Sequence, residues 1–212
     1  PAWADDAPAA TAARALKIGA YYYPWYDAPR EGARDERGWM RQALRGRLVP
    51  RQMPELGVYD SRDSKVIGAH IAQSLRAGID FWALSWWGPG SKTDRVIREH
   101  VFMHPDRREL EFAALYESTG RLGKFESPDY SKLVGDFEYL AEHYFTQPGY
   151  LKIDGRPVVF IYLSRVYFRE PGPGHEALKK LRRRFPKLFL VGDSVFGPRL
   201  RPGHAKLWDA VT

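Results

Sequence analysis

The sequence predicts an α/β fold, a (β/α)8 TIM-type barrel incomplete at the C-terminus with about six of its strands present. Three observations predict it. Six short apolar runs recur along the 212-residue chain with helical patterns between them. The runs are apolar throughout rather than alternating, as strands buried on both faces of a parallel sheet are. No glycine-rich phosphate fingerprint follows any run, which counts against an open doubly wound nucleotide-binding sheet.

Residues 1–15 are rich in Ala and Pro and read as a flexible leader. Within it, Ala2-x-Ala4 before Asp5-Asp6 has the small-residue pattern of a signal-peptide cleavage site, so a secreted or periplasmic protein is expected. The barrel domain is assigned to residues 16–212. Its first strand is expected over residues 18–25, and residues 27–59 form a long first βα loop of the kind that carries function in barrels. Asp63-Ser64 starts a helix over residues 64–77 and Gly78 stops it. A second strand (79–87) precedes a helix over 93–102, begun by Ser91-Lys92-Thr93. A third strand (110–116), a helix (130–145), a fourth strand (158–163), a helix (175–185), a fifth strand (188–191) and a sixth (208–211) complete the series. Whole barrels of this type need about 250 residues. A partner chain or a missing segment is therefore expected to cover the open edge, because an uncovered parallel edge invites association.

Composition narrows the chemistry. The net charge is +7, but the basic residues are scattered, and the densest run, Lys179-Lys180-Leu181-Arg182-Arg183-Arg184, falls on a helical pattern where a solvated outer face is the plain reading. No nucleic-acid partner is expected. Cysteine is absent, which excludes disulfides, thiolate metal sites and cysteine nucleophiles. No segment approaches a membrane span. His100 and His104 stand four apart, but a solvated helix end explains them better than a metal, so neither metal nor cofactor is expected.

Seven Trp, 12 Tyr and 11 Phe exceed what a core of this size needs, so some rings are expected to form ligand platforms. The first strand closes with Tyr21-Tyr22-Tyr23-Pro24-Trp25-Tyr26 and the second with Ser85-Trp86-Trp87-Gly88-Pro89-Gly90. Both runs end on the face where barrel catalysts sit. Flat rings stack on pyranoses while phenol and indole groups bond sugar hydroxyls, so the expected partner is an oligo- or polysaccharide. Tyr23, Trp25, Tyr26, Trp86, Trp87 and Tyr116 are the candidate lining. Glu117 ends the third strand, where a carboxyl against apolar walls can act as acid or base. The alternative is a structural ion pair with Arg121. Asp193, after the fifth strand, is the best second carboxyl, since glycosidases use two. Asp60 and Asp63 compete with it, although Asp63 beside Ser64 serves equally well as a helix cap.

Four segments resemble glycoside hydrolase family 99, the endo-α-mannosidase and endo-α-mannanase family, and its relatives in polysaccharide clusters. They are Tyr22-Tyr23-Pro24-Trp25-Tyr26, residues 54–63, residues 77–90 with Ser85-Trp86-Trp87-Gly88-Pro89-Gly90, and Trp208-Asp209-Ala210-Val211-Thr212. The resemblance implies a barrel acting on α-linked mannose-type glycans without a metal. It also implies that Glu117 and Arg121 match the family's first glutamate, which assists through the sugar 2-hydroxyl, and its arginine. The family's second glutamate, its acid, has no counterpart in Glu117-Ser118-Thr119-Gly120-Arg121, and its Tyr-Asp-Ser becomes Tyr162-Leu163-Ser164. Tyr162 and Arg121 are thus candidate sugar contacts, and Asp193 or Asp60 the candidate acid. The expectation is a secreted glycoside hydrolase-like protein acting on such glycans or on exopolysaccharide. A non-catalytic glycan-binding module and a polysaccharide-assembly protein are the alternatives.

Overall fold

The computed structural model describes residues 16–28, 39, 54–167, 172–193 and 206–212. The leader and most of the long first loop lie outside these. Six parallel strands form the sheet: β1 (Gly19–Tyr22), β2 (Phe81–Trp86), β3 (Glu111–Tyr116), β5 (Arg156–Ile161), β6 (Phe189–Gly192) and β7 (Ala210–Val211). The short β4 (Lys152–Ile153) pairs antiparallel with β5. Parallel order follows chain order, β1-β2-β3-β5-β6-β7, with no reversal. A doubly wound sheet reverses at a switch point; without one, every crossover lies on the same face and the sheet curls into a half-barrel. All six expected strands are present.

The crossover helices are α1 (Ser64–Arg76), α2 (Lys92–Val96), α3 (Ser118–Arg121), α4 (Leu133–His143) and α5 (Pro173–Arg184). Asp63 caps α1 by accepting from the Lys65 N–H at 2.8 Å, and Ser91 caps α2. Gly78, at φ +71°, supplies the left-handed turn that ends α1. The helix expected over 93–102 is α2 continued by a π-helical turn, Ile97–Val101, whose Ile97 and Val101 stay buried. His104 is no solvated helix end: it is buried, caps the 3-10 turn Pro105–Glu109 and contacts the Ser64 carbonyl at 2.9 Å.

Helices and sheet enclose the main core, in which Ile67, Ile71, Leu84, Ile97, Phe137, Leu140 and Leu181 are fully buried. Each such side chain contributes about 1.5–3 kcal/mol. The concave face holds a second, smaller cluster of Ala83, Ala113, Leu115, Val158, Phe160 and Val191. Arg156 and Arg182 both reach Asp209, at 2.5 and 2.6 Å, and the Leu190 N–H donates to the same carboxylate, which anchors β7 beside β6. Arg182 therefore points inward rather than out from the basic run, and Arg184 pairs with Glu138.

Candidate functional site on the concave face

Side chains alternate across a strand, and the parallel register aligns the alternation. Ser85 of β2 stands opposite Leu115 of β3, and Trp86 opposite Tyr116. Leu115 belongs to the concave cluster and Tyr116 to the helix-side core. Ser85 and Glu117 therefore share the concave face, and one residue of offset sends Trp86 and Tyr116 the other way. This corrects the expectation that Trp86 and Tyr116 line a cleft. Both are fully buried under the helices, where the Trp86 indole donates to Asp94 and the Tyr116 phenol to Asp136, each at 2.9 Å.

Arg121 is corrected with them. Its guanidinium makes two 2.7 Å hydrogen bonds to Asp136 on α4, not to Glu117, so it is neither the partner of Glu117 nor a sugar contact on that face. Asp60 holds Arg62 in a two-armed pair and accepts the Ala28 N–H. The Arg62 hydrogen bond keeps the Asp60 carboxyl down at about 2, so it is held ionised by its partner. Tyr26 stacks on Trp39 with ring centroids 4.9 Å apart and lines a cavity of about 430 Å³ between β1 and α1, together with Tyr22, Tyr59, His70 and Trp82.

The remaining candidates gather at the C-terminal ends of the strands. Glu117 is 4% exposed, and its Oε1 accepts a 2.6 Å hydrogen bond from the Ser85 hydroxyl. The Ser85 oxygen in turn accepts the Trp87 indole N–H at 2.9 Å. Trp87 stands edge-on to Trp25 at 6.0 Å, and Trp25 packs on Tyr23 at 4.6 Å. Gly120 seats the Trp87 indole, since a Cβ there would enter the six-membered ring. Asp193, 1% exposed, is held by its backbone: its carbonyl accepts from the Ser164 N–H and hydroxyl at 3.0 and 2.9 Å, and its N–H donates to Ile161.

Electrostatics ties these groups together. Burial pushes the Glu117 carboxyl up to about 7; the Ser85 hydrogen bond pulls against that shift, and the charge of Asp193 adds to it. Burial, then Glu117, Tyr162, Tyr21 and Asp193, push the Tyr23 phenol up to about 12. Tyr21 also neighbours Asp193 by hydrogen bond and reaches the Thr212 hydroxyl at 3.4 Å. The face thus carries two carboxyls, of which Glu117 feels the charge of Asp193 and holds its proton near neutrality, beside a wall of rings. Such a set can exchange protons with a bound polyol.

Ser85, Tyr21 and Gly120 were absent from the sequence-derived set. The signal for Ser85 was a lone hydroxyl inside an apolar strand, in the register of Leu115 and two residues before Trp87. Among the described residues, no three His, Asp or Glu gather as a metal-binding group, and no helix is long and apolar enough to cross a membrane.

Comparison with known proteins is consistent across three levels. Residues 15–172 match the model for glycosyl hydrolase family 99. A mouse glycoprotein endo-alpha-1,2-mannosidase-like protein is 33% identical over 112 residues, covering 44% of this chain and 25% of the relative. The rat glycoprotein endo-alpha-1,2-mannosidase is 24% identical over 172 residues, covering 70% of this chain and 37% of the relative. The chain spans between a quarter and somewhat over a third of the length of these curated relatives. Among solved structures, a GH99 endo-alpha-mannosidase from Bacteroides thetaiotaomicron superimposes with a TM-score of 0.64 at 17% identity, covering 92% of this chain and 60% of the other. That likeness bears on the fold.

Proposed function

From the premise that the chain belongs to glycosyl hydrolase family 99, we propose that it is the glycan-engaging part of a secreted hydrolase that cleaves α-linked, mannose-type glycans. One observation carries the reading: Glu117 is buried at the end of β3, on the concave face, with its carboxyl at about 7 and Asp193 within electrostatic reach. A carboxyl that titrates near the working pH exchanges protons in both directions, as a general acid–base requires. Glu117 takes the role of base toward a sugar hydroxyl, and Asp193 that of the second carboxyl. Tyr23, Trp25, Trp87 and Tyr162 form the wall on which the sugar stacks. Export rests on the Ala2-x-Ala4 pattern in the leader. Further βα units, in the same polypeptide or from a partner chain, cover the edges left by β1 and β7.

The test is release of reducing ends from α-mannan and from mannose-containing exopolysaccharide by the protein and by Glu117→Gln and Asp193→Asn. Removing a general acid–base is expected to lower turnover by about 100-fold or more. Unchanged turnover and pH profile in Glu117→Gln overturn the assignment.

A second reading, a glycan-binding module without turnover, is favoured by α3 itself. The Ser118 hydroxyl faces Tyr167 and Gly120 lies under Trp87, so the turn after Glu117 brings no second carboxyl to the face. Oligosaccharide binding with no cleavage of either substrate class selects it.

A further inference from the structure

The two hydrogen bonds around Ser85 have a direction, and the direction follows from chemistry. An indole N–H is a donor and never an acceptor. The Trp87 Nε1–H therefore occupies a lone pair of the Ser85 oxygen, at 2.9 Å. A serine hydroxyl carries one proton. Ser85 is fully buried, and among the described residues the acceptor in its reach is Oε1 of Glu117, at 2.6 Å. The Ser85 proton is thus spent on Oε1.

We propose that Ser85, oriented by Trp87, is a positioning residue that commits Oε1 of Glu117 to accepting, so that the exchangeable proton of Glu117 resides on Oε2. The carboxyl has two oxygens, and without this device either could carry the proton and the side chain could present either one to a ligand. With Oε1 held, a single oxygen does the proton exchange, and its direction is fixed by the strand register rather than by the ligand. The wall and the carboxyl become one unit. The indole on which a sugar stacks is also the donor that sets the serine, so a ligand that shifts Trp87 alters the hydrogen bond to Glu117. Among the described residues, the groups facing Glu117 from the neighbouring elements are Ser85 of β2, Tyr21 and Tyr23 at the end of β1 and Asp193 after β6, with Tyr162 after β5 beyond Tyr23. None of them is a cation, so Ser85 is the group on this face that favours the ionised form.

The inference deepens the reading of Glu117 as the acid–base, and its test reads the proton directly. The titration of the Glu117 side-chain carboxyl carbon is followed by NMR in the protein, in Ser85→Ala, in Ser85→Thr and in Trp87→Phe. Ser85→Ala removes a hydrogen bond to the charged form, so its midpoint should rise by about one pH unit, the tenfold change that one such bond produces. Ser85→Thr keeps the hydroxyl and should return the midpoint to its original position. Trp87→Phe frees the Ser85 hydroxyl to turn and accept from protonated Glu117, which favours the neutral form, so a smaller rise is expected. An unmoved or lowered midpoint in Ser85→Ala overturns the proposal, as does Trp87→Phe with the midpoint of the unaltered protein. If Ser85→Ala does not fold, Trp87→Phe, whose ring is partly exposed, decides alone. A shifted titration together with full glycan turnover in Glu117→Gln would sink the catalytic reading and leave this one standing.

Discussion

Arg121 and Asp136 meet through two parallel 2.7 Å hydrogen bonds across the gap between α3 and α4, on the opposite side of the sheet from Glu117. The pair fixes the loop after β3 from behind. Asp136 is 2% exposed, and its other partner is the Tyr116 phenol. Arg121→Met should therefore destabilise the fold by about 3 kcal/mol, because it strands a buried carboxylate. Adding Asp136→Asn should recover part of the loss. Urea unfolding of both variants checks this, and two additive losses would mean that the pair is not coupled.

Glu117 links stability to pH. Its carboxyl sits at about 7 in the folded chain against an ordinary 4.5. The folded state thus holds the extra proton, and the stability contributed by this group is complete below 4.5 and disappears as pH rises through 7. The protein should lose about 3 kcal/mol between pH 4.5 and 8 through this residue. Glu117→Gln should flatten that dependence and be the more stable protein at pH 8. Parallel melting curves for the two proteins over that range would refute the linkage.

Asp94 is the hub under the second strand's loop. It accepts from the Trp86 indole, the Gly90 N–H and the phenols of Tyr139 and Tyr144, at 2.6 to 2.9 Å, while being 1% exposed. Asp94→Ala leaves these donors unsatisfied and should destabilise by roughly 3 kcal/mol or more. Thermal unfolding measures it; a loss below about 1 kcal/mol would show that water replaces the carboxylate.

Gly120→Ala tests the wall without touching a titratable group. A methyl there displaces the Trp87 ring from its seat. Mannose-oligosaccharide affinity should fall roughly tenfold, the worth of one stacked ring, with a red-shifted tryptophan emission. Calorimetry and fluorescence report the two effects, and unaltered affinity would remove Trp87 from the glycan wall.

The strands and long helices were visible in the sequence because their signals are local. Continuous apolar runs, the Asp63 and Ser91 caps and the Gly78 stop each act within a few residues. Which face a side chain takes is a different matter. A strand buried on both sides has no polar alternation to read, so Phe81–Trp86 does not announce that Ser85 faces the ligand side and Trp86 the helices. The register with β3 decides it. Arg121 likewise has a nearby candidate in Glu117, and its partner comes from α4, fifteen residues on. The β4–β5 hairpin carries its own signal, Asp154-Gly155, both at positive φ as a two-residue turn demands.

The seat of Trp87 on Gly120 also constrains how such a site can diverge. Positions 87 and 120 belong to different strand ends, yet they share one volume. A lineage that acquires a side chain at 120 must displace or shrink the residue at 87, and with it weaken or lose the donor that orients Ser85. Change at either position is therefore expected to arrive as a paired substitution, with the wall and the carboxyl's hydrogen bonding altered together.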